Sequence, residues 1–315
     1  MENPFLSPLI SIPPEIESEL SCFTRTVIPT AEGRLHVMTC PGEGRPVLML
    51  HGNPTWGFLY RKVVRELTGT SLRMVVPDLL GLGLSERIAP EDHTLEKHGR
   101  AIASLVATLD LRDMIFVGQD WGGPIGLWAM AQAPERVRGL VILNTVVCPP
   151  RIGFRPTLFH RFGRFPLLSD LVFRGLGFPL GWLHTAQGDR SSIRGATARA
   201  YRWPFVRDRD NSAILALTRM VPNNQQHPSI AGLQAVEAFV RGFKGPTGIV
   251  WGDKDPVLAR AFRRTHAALP HAKVWHTAAG HFLQEEVPDV IAAAIQWVDD
   301  QLGATAPTDD GVPHA

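Results

Sequence analysis

Short apolar runs recur along the chain, and each closes on a polar or turn-forming residue. Val47-Leu48-Met49-Leu50 ends at His51-Gly52, Met74-Val75-Val76 at Pro77-Asp78, Met114-Ile115-Phe116-Val117 at Gly118, and Val141-Ile142-Leu143 at Asn144. Runs this short, apolar at every position and rich in β-branched residues, fit strands buried on both faces of a parallel sheet. Between them lie amphipathic stretches, Leu95 to Leu109 and Pro124 to Gln132, that read as helices. The alternation predicts an α/β fold with a mostly parallel sheet flanked by helices. Phe23 to Pro29 and Leu35 to Thr39 form its antiparallel leading edge.

The alternation stops at Pro149. Through about Pro222 the chain is rich in Pro, Gly, Phe and Arg, and strand character returns only at Gly248-Ile249-Val250-Trp251 and Lys273-Val274-Trp275-His276. The pattern predicts a helical cap over 150–222, inserted into a core built from 1–149 and 223–303. The Ala, Thr, Pro and Asp composition of 304–315 predicts a disordered tail.

Composition changes this picture little. Hydrophobic residues at 44% and charged residues at 20% belong to a globular protein. No run of about 18 apolar residues could span a bilayer, and the first residues lack a basic stretch followed by an apolar one, so the chain reads as cytoplasmic and free of membrane. Cys22, Cys40 and Cys148 are odd in number and widely spaced, as reduced thiols are. A net charge of +2 argues against nucleic acid. Charge is unevenly placed, however: residues 151–210 hold eleven Arg, no Lys and four Asp, a net +7, which leaves −5 for the rest. This reads as a solvated Arg-rich helical face and a candidate interface between copies. Gly81-Leu82-Gly83 lacks the third glycine of a dinucleotide loop, since Glu86 stands there, and reads as a turn. His266, His271, His276 and His281 recur every five residues, a spacing that fits no metal site.

The chemistry-bearing segment is Gly118-Gln119-Asp120-Trp121-Gly122-Gly123, directly after a predicted strand and before a predicted helix. Small residues flanking one reactive side chain there fit a nucleophile elbow, a strained turn that lifts that side chain above the sheet edge. Asp120 is the lifted residue, and a carboxylate is ionised at neutral pH and needs no base to attack. An Asp capping the following helix is the plain alternative. Three further loops agree with the first reading. His51-Gly52-Asn53-Pro54 follows a strand where one backbone donor of an oxyanion hole is expected, with the N–H of Trp121 as the second. Trp251-Gly252-Asp253-Lys254-Asp255-Pro256 and Ala279-Gly280-His281-Phe282 follow the last two strands, in the chain order nucleophile, acid, histidine.

From about Phe23 to Leu302, and least in the cap, the chain resembles a haloalkane dehalogenase of the α/β-hydrolase superfamily. The likeness is carried by His51-Gly52-Asn53-Pro54-Thr55-Trp56, Gly118 to Gly123 and Gly280-His281-Phe282-Leu283-Gln284-Glu285. The resemblance implies Asp120 as nucleophile, His281 as base, and the Trp121 indole N–H and Asn53 side-chain amide as halide donors. It implies a small halogenated aliphatic substrate, water and a halide ion as reaction partners, an alkyl-aspartyl ester on the way, and no metal or other cofactor. The segment Asn144 to Pro149, where some branches place the acid, has no carboxylate. The Gly252-x-x-Asp255 spacing resembles branches that place it later, which favours Asp255 over Asp253.

Epoxide hydrolases share the Asp-His-acid set but bring two cap tyrosines, and here only Tyr201 lies in the cap. Fluoroacetate dehalogenases have Arg where Trp121 stands. A non-catalytic ligand-binding module on a hydrolase scaffold is the alternative of another class. Trp182 and Trp203, with Phe162, Phe165, Phe173, Phe178 and Phe205, are expected in the core or lining a tunnel, and Asp78 is expected to be structural.

Overall fold

The computed structural model describes residues 10–304. Eight strands make one sheet: β1 (Thr24–Thr30), β2 (Gly33–Cys40), β3 (Pro46–Leu50), β4 (Arg73–Pro77), β5 (Met114–Gln119), β6 (Val137–Leu143), β7 (Thr247–Gly252) and β8 (Lys273–Thr277). Their order is β1-β2-β4-β3-β5-β6-β7-β8. β1 and β2 run antiparallel at one edge, and from β4 through β8 every pairing is parallel.

Every apolar run identified from the sequence falls on a strand, because only a strand buried on both faces needs such a run. Alternate residues serve opposite layers. Leu48, Leu50 and Phe116 join the core under the helices Leu95–Thr108, Gly122–Gln132 and Ser229–Gly242. Val47, Met49, Ile115 and Val117 join the core under Arg61–Glu66 and Pro288–Ala304. The differences lie at element ends. β6 begins at Val137 rather than Val141 because Arg138 and Gly139 interrupt its apolar pattern. The helix expected from Pro124 starts at Gly122, since the glycine pair belongs to its first turn. The last helix ends at Ala304, one residue inside the stretch read as tail, and 305–315 lie outside the described residues.

No strand interrupts the stretch between β6 and β7, which runs through short helical turns and the helices Gly195–Asp208 and Ser212–Arg219 before the core helix Ser229–Gly242. A buried cluster joins this stretch to the core: Glu285 accepts from Arg61 Nη1 at 2.6 Å and from the Tyr201 hydroxyl at 2.5 Å, with Lys62 Nζ at 2.9 Å. Asp78 is fully buried beside His36 and accepts from the backbone N–H groups of Gly57 and Leu84, so it braces a turn. The three cysteines form no disulfide. No described helix is long and apolar enough to cross a membrane.

Candidate active site

Each chemistry-bearing side chain stands just past the C-terminal end of a strand, where a parallel sheet opens its crevice. Asn53 follows β3, Asp120 β5, Asp255 β7 and His281 β8. The turn at Asp120 has φ of +48°, in the left-handed region that a non-glycine residue rarely adopts. It is tied down by its own N–H to Asn144 O at 3.2 Å and by the Thr145 hydroxyl donating to Asp120 O at 2.6 Å. Neighbouring strands crowd it closely. A Cβ on Gly122 would run into the Leu50 carbonyl, and one on Gly52 into the Asp120 side chain, so both positions need glycine.

The Asn53 N–H donates to Asp120 Oδ1 at 2.8 Å, and the Trp121 N–H faces the same carboxylate. On the other side, His281 Nε2 lies 3.7 Å from Asp120 Oδ2, while Nδ1 is 2.9 Å from Asp255 Oδ2. Of the two acid candidates it is Asp255 that reaches the imidazole. Asp253 is exposed and pairs with His276 at 2.9 Å. The acid is well supported: Asp255 Oδ1 accepts from the N–H groups of Val257 and Leu258, and Asn144 Nδ2 donates to Oδ2 at 2.8 Å.

Charge follows from this geometry. Burial pushes the Asp255 carboxyl up, but His281 and the backbone donors outweigh it and the net shift is downward. Burial lowers His281, yet Asp255 beside it and then Asp120 push it up to about 9. Asp120 is raised by burial, against the pull of His281 and the two N–H groups. His51 is buried and lowered. Its Nδ1 donates to Gly52 O and its Nε2 accepts from Leu79 N–H, so it shapes the loop that presents Asn53.

The Asn53 side chain has long-range partners. Its Nδ2 donates to Ile214 O at 3.0 Å and to Thr218 Oγ1 at 3.2 Å, and Oδ1 is buried without a partner among the described residues. The amide thus reaches the helix Ser212–Arg219, a long-range partner that no local motif announces. The Trp121 ring lines two cavities that meet at Asp120, of about 240 and 480 Å³, both mostly apolar. Trp182 lines the larger one at its exposed rim, whereas Trp203 packs against the core under Arg61–Glu66 with the Arg207 guanidinium 5.5 Å over its ring. Tyr201 is fully buried on Glu285 and lines neither cavity.

Three residues of the site go beyond what the sequence announces. The segment at Asn144 stands out only for lacking a carboxylate, yet the Asn144 backbone holds the Asp120 turn and its amide holds Gly252 and Asp255. Gln119 Nε2 donates to His281 O at 3.1 Å. His160 lines both cavities with Nδ1 2.6 Å from Thr157 Oγ1, and burial, with the positive charge of His281, Arg260 and Arg164, lowers it to about 4, so it is neutral near pH 7. A lone histidine in a stretch of short helices carries no periodicity by which to find it.

The family model of the α/β hydrolase fold matches residues 45–288. Haloalkane dehalogenase 2 of Mycobacterium bovis is 34% identical over 273 residues, covering 84% of this chain and 91% of that protein. Haloalkane dehalogenase of Mycobacterium marinum is 31% identical, over 82% of this chain and 86% of its own. A mutant of haloalkane dehalogenase DatA from Agrobacterium tumefaciens C58 superposes with a TM-score of 0.79 at 25% identity, covering 90% of this chain and 99% of that one.

Proposed function

Since this chain belongs to the haloalkane dehalogenases, within the α/β hydrolase fold, we propose that it hydrolyses the carbon–halogen bond of small halogenated alkanes, with Asp120, His281 and Asp255 as its catalytic set. The observation that carries the reading is the convergence on one carboxylate: backbone N–H groups of Asn53 and Trp121 on one side and an acid-supported histidine beside Oδ2. In this reading 150–222 form the cap.

Asp120 Oδ2 attacks the carbon that bears the halogen, and the halide departs with the bonding electrons. The Trp121 indole N–H receives it in a dry pocket, where an uncharged donor stabilises developing charge. Asn53 contributes the N–H that otherwise rests on the Thr218 hydroxyl, since the other is held by the Ile214 carbonyl. The product is an ester on Asp120. His281 then takes a proton from water, hydroxide adds to the ester carbon, and the oxyanion at Oδ1 meets the N–H groups of Asn53 and Trp121. Collapse releases the alcohol, which receives the proton from His281, and the carboxylic acid left at Asp120 ionises, giving up the second proton of the water. The sum is haloalkane plus water to alcohol, halide and a proton.

Electrostatics times the two steps. The ionised Asp120 helps to hold His281 protonated, and alkylation removes that charge. The His281 pKa then falls, so the imidazole sheds its proton and becomes available as a base only once there is an ester to hydrolyse. Epoxide opening would need cap hydroxyls over Asp120, and the one cap tyrosine is committed to Glu285.

Purified protein without added metal is expected to release bromide from 1-bromobutane. His281→Phe should release about one bromide per site and stall, with the alkyl mass mapped to Asp120. Diol formation from a terminal epoxide without bromide release, or an adduct on another residue, would overturn the assignment.

A further inference from the structure

Every exposed large hydrophobic side chain among the described residues, nine in all, lies between Ile152 and Val206. Leu158, Leu167 and Leu176 are 78%, 84% and 75% exposed, and Leu171 and Trp182 each 61%. Scattered surface leucines are ordinary; their confinement to one segment is not. The turns Leu158–Phe162 and Leu168–Gly175 carry apolar side chains on their inner and outer sides alike. The inner side is covered, with the ring centroids of Phe159 and Phe162 5.6 and 6.3 Å from that of Phe173. Helical turns apolar on both sides are ordinarily covered on both, and here the outer leucines are bare.

The same segment carries the charge that catalysis leaves unused, eleven Arg and no Lys against four Asp over 151–210. Arg151, Arg155 and Arg161 are exposed and make no ion pair among the described residues. Bare leucines and free guanidinium groups on one segment match an anionic lipid surface: apolar side chains enter the acyl boundary while Arg binds lipid phosphate through paired N–H donors. A symmetric pairing of two caps would instead oppose two basic faces. The face is continuous with the catalytic cavity, because Leu158 and Trp182 belong to both.

The geometry points to the cap as a docking face for an anionic membrane surface, with the protein lying on the bilayer and the catalytic cavity opening toward it. Resting on the dehalogenase reading, an apolar haloalkane dissolved among the acyl chains would enter the cavity from that side.

Cosedimentation of the full chain with vesicles tests this without turnover. Vesicles of equimolar phosphatidylcholine and phosphatidylglycerol should pellet the protein, phosphatidylcholine alone should pellet it poorly, and high salt should release it. Leu167→Ser, Leu168→Ser and Leu171→Ser combined should weaken pelleting at least tenfold while bromide release from dissolved 1-bromobutane is unchanged. Should that variant fail to fold, Arg151→Glu, Arg155→Glu and Arg161→Glu combined should give the same loss. No pelleting with anionic vesicles, or equal pelleting of folded variants, overturns the proposal. So does a soluble oligomer of the parent chain that the leucine substitutions dissociate, which would make the face an interface between copies. Vesicle binding without bromide release would support docking and overturn the catalytic reading alone.

Discussion

Asp120 and His281 face each other across 3.7 Å, and each sets the charge of the other. Replacing Asp120 by Asn imitates the neutral ester, so the imidazole, held at about 9 in the parent, should titrate at lower pH in the variant. NMR titration of the His281 ring protons reads this directly, and an unmoved midpoint would remove the timing argument. The raised pKa also supplies folding stability, fully present below the ordinary histidine value of 6.5 and lost as pH rises through about 9. The acid should show in turnover: Asp255→Asn is expected to cost about 10²- to 10⁴-fold, while Asp253→Asn stays near the parent rate. At the proposed halide site, Thr218→Val removes the hydroxyl competing for an Asn53 N–H and should tighten iodide binding, read by quenching of tryptophan emission. Asn53→Ala should weaken it and slow carbon–halogen cleavage by about 10²-fold. Asp120, Trp121, Asn53 and His281 are legible in the sequence because each sits in a short motif beside a strand end. Asn144 and Thr218 are not, because their roles arise from partners far away in the chain, Asn144 on Asp255 and Thr218 on Asn53, and His160 is not, because its five-residue helix is too short to show a period.

At the scale of elements, strands are easier to read than helices. A strand buried on both faces shows itself in four or five consecutive residues, whereas the short turns within 150–222, with apolar side chains on both sides, have no period to detect. The longer helix Gly195–Asp208 is tied to the core through the Glu285 cluster. Arg61 is 2% exposed and Glu285 carries the only buried carboxylate bonded to it among the described residues, since its other acidic partner, Glu19, is half-exposed. Glu285→Ala would strand a buried guanidinium and free the Tyr201 hydroxyl, and should lower stability by about 3–5 kcal/mol in denaturant titration. The same substitution should loosen the helix Gly195–Asp208, seen as faster amide exchange there than elsewhere. A loss under about 1 kcal/mol would show that the cluster tolerates its missing charge better than its burial implies.

Across the whole molecule, β6 and β7 lie side by side in the sheet although residues 144–246 come between them. This order has a consequence for biosynthesis. A chain leaving the ribosome has the Asp120 turn and the N–H groups of Asn53 and Trp121 by the end of β6, but must make all of residues 144–246 before the next strand arrives. Throughout that interval the β6 edge is an unpaired row of backbone donors and acceptors, open to pairing with a neighbouring nascent chain. Asp255 and His281 come last. On the proposed mechanism, an unfinished chain holds the half of the machinery that can be alkylated and lacks the half that restores it, so a halide-bearing substrate met too early would act as a suicide reagent.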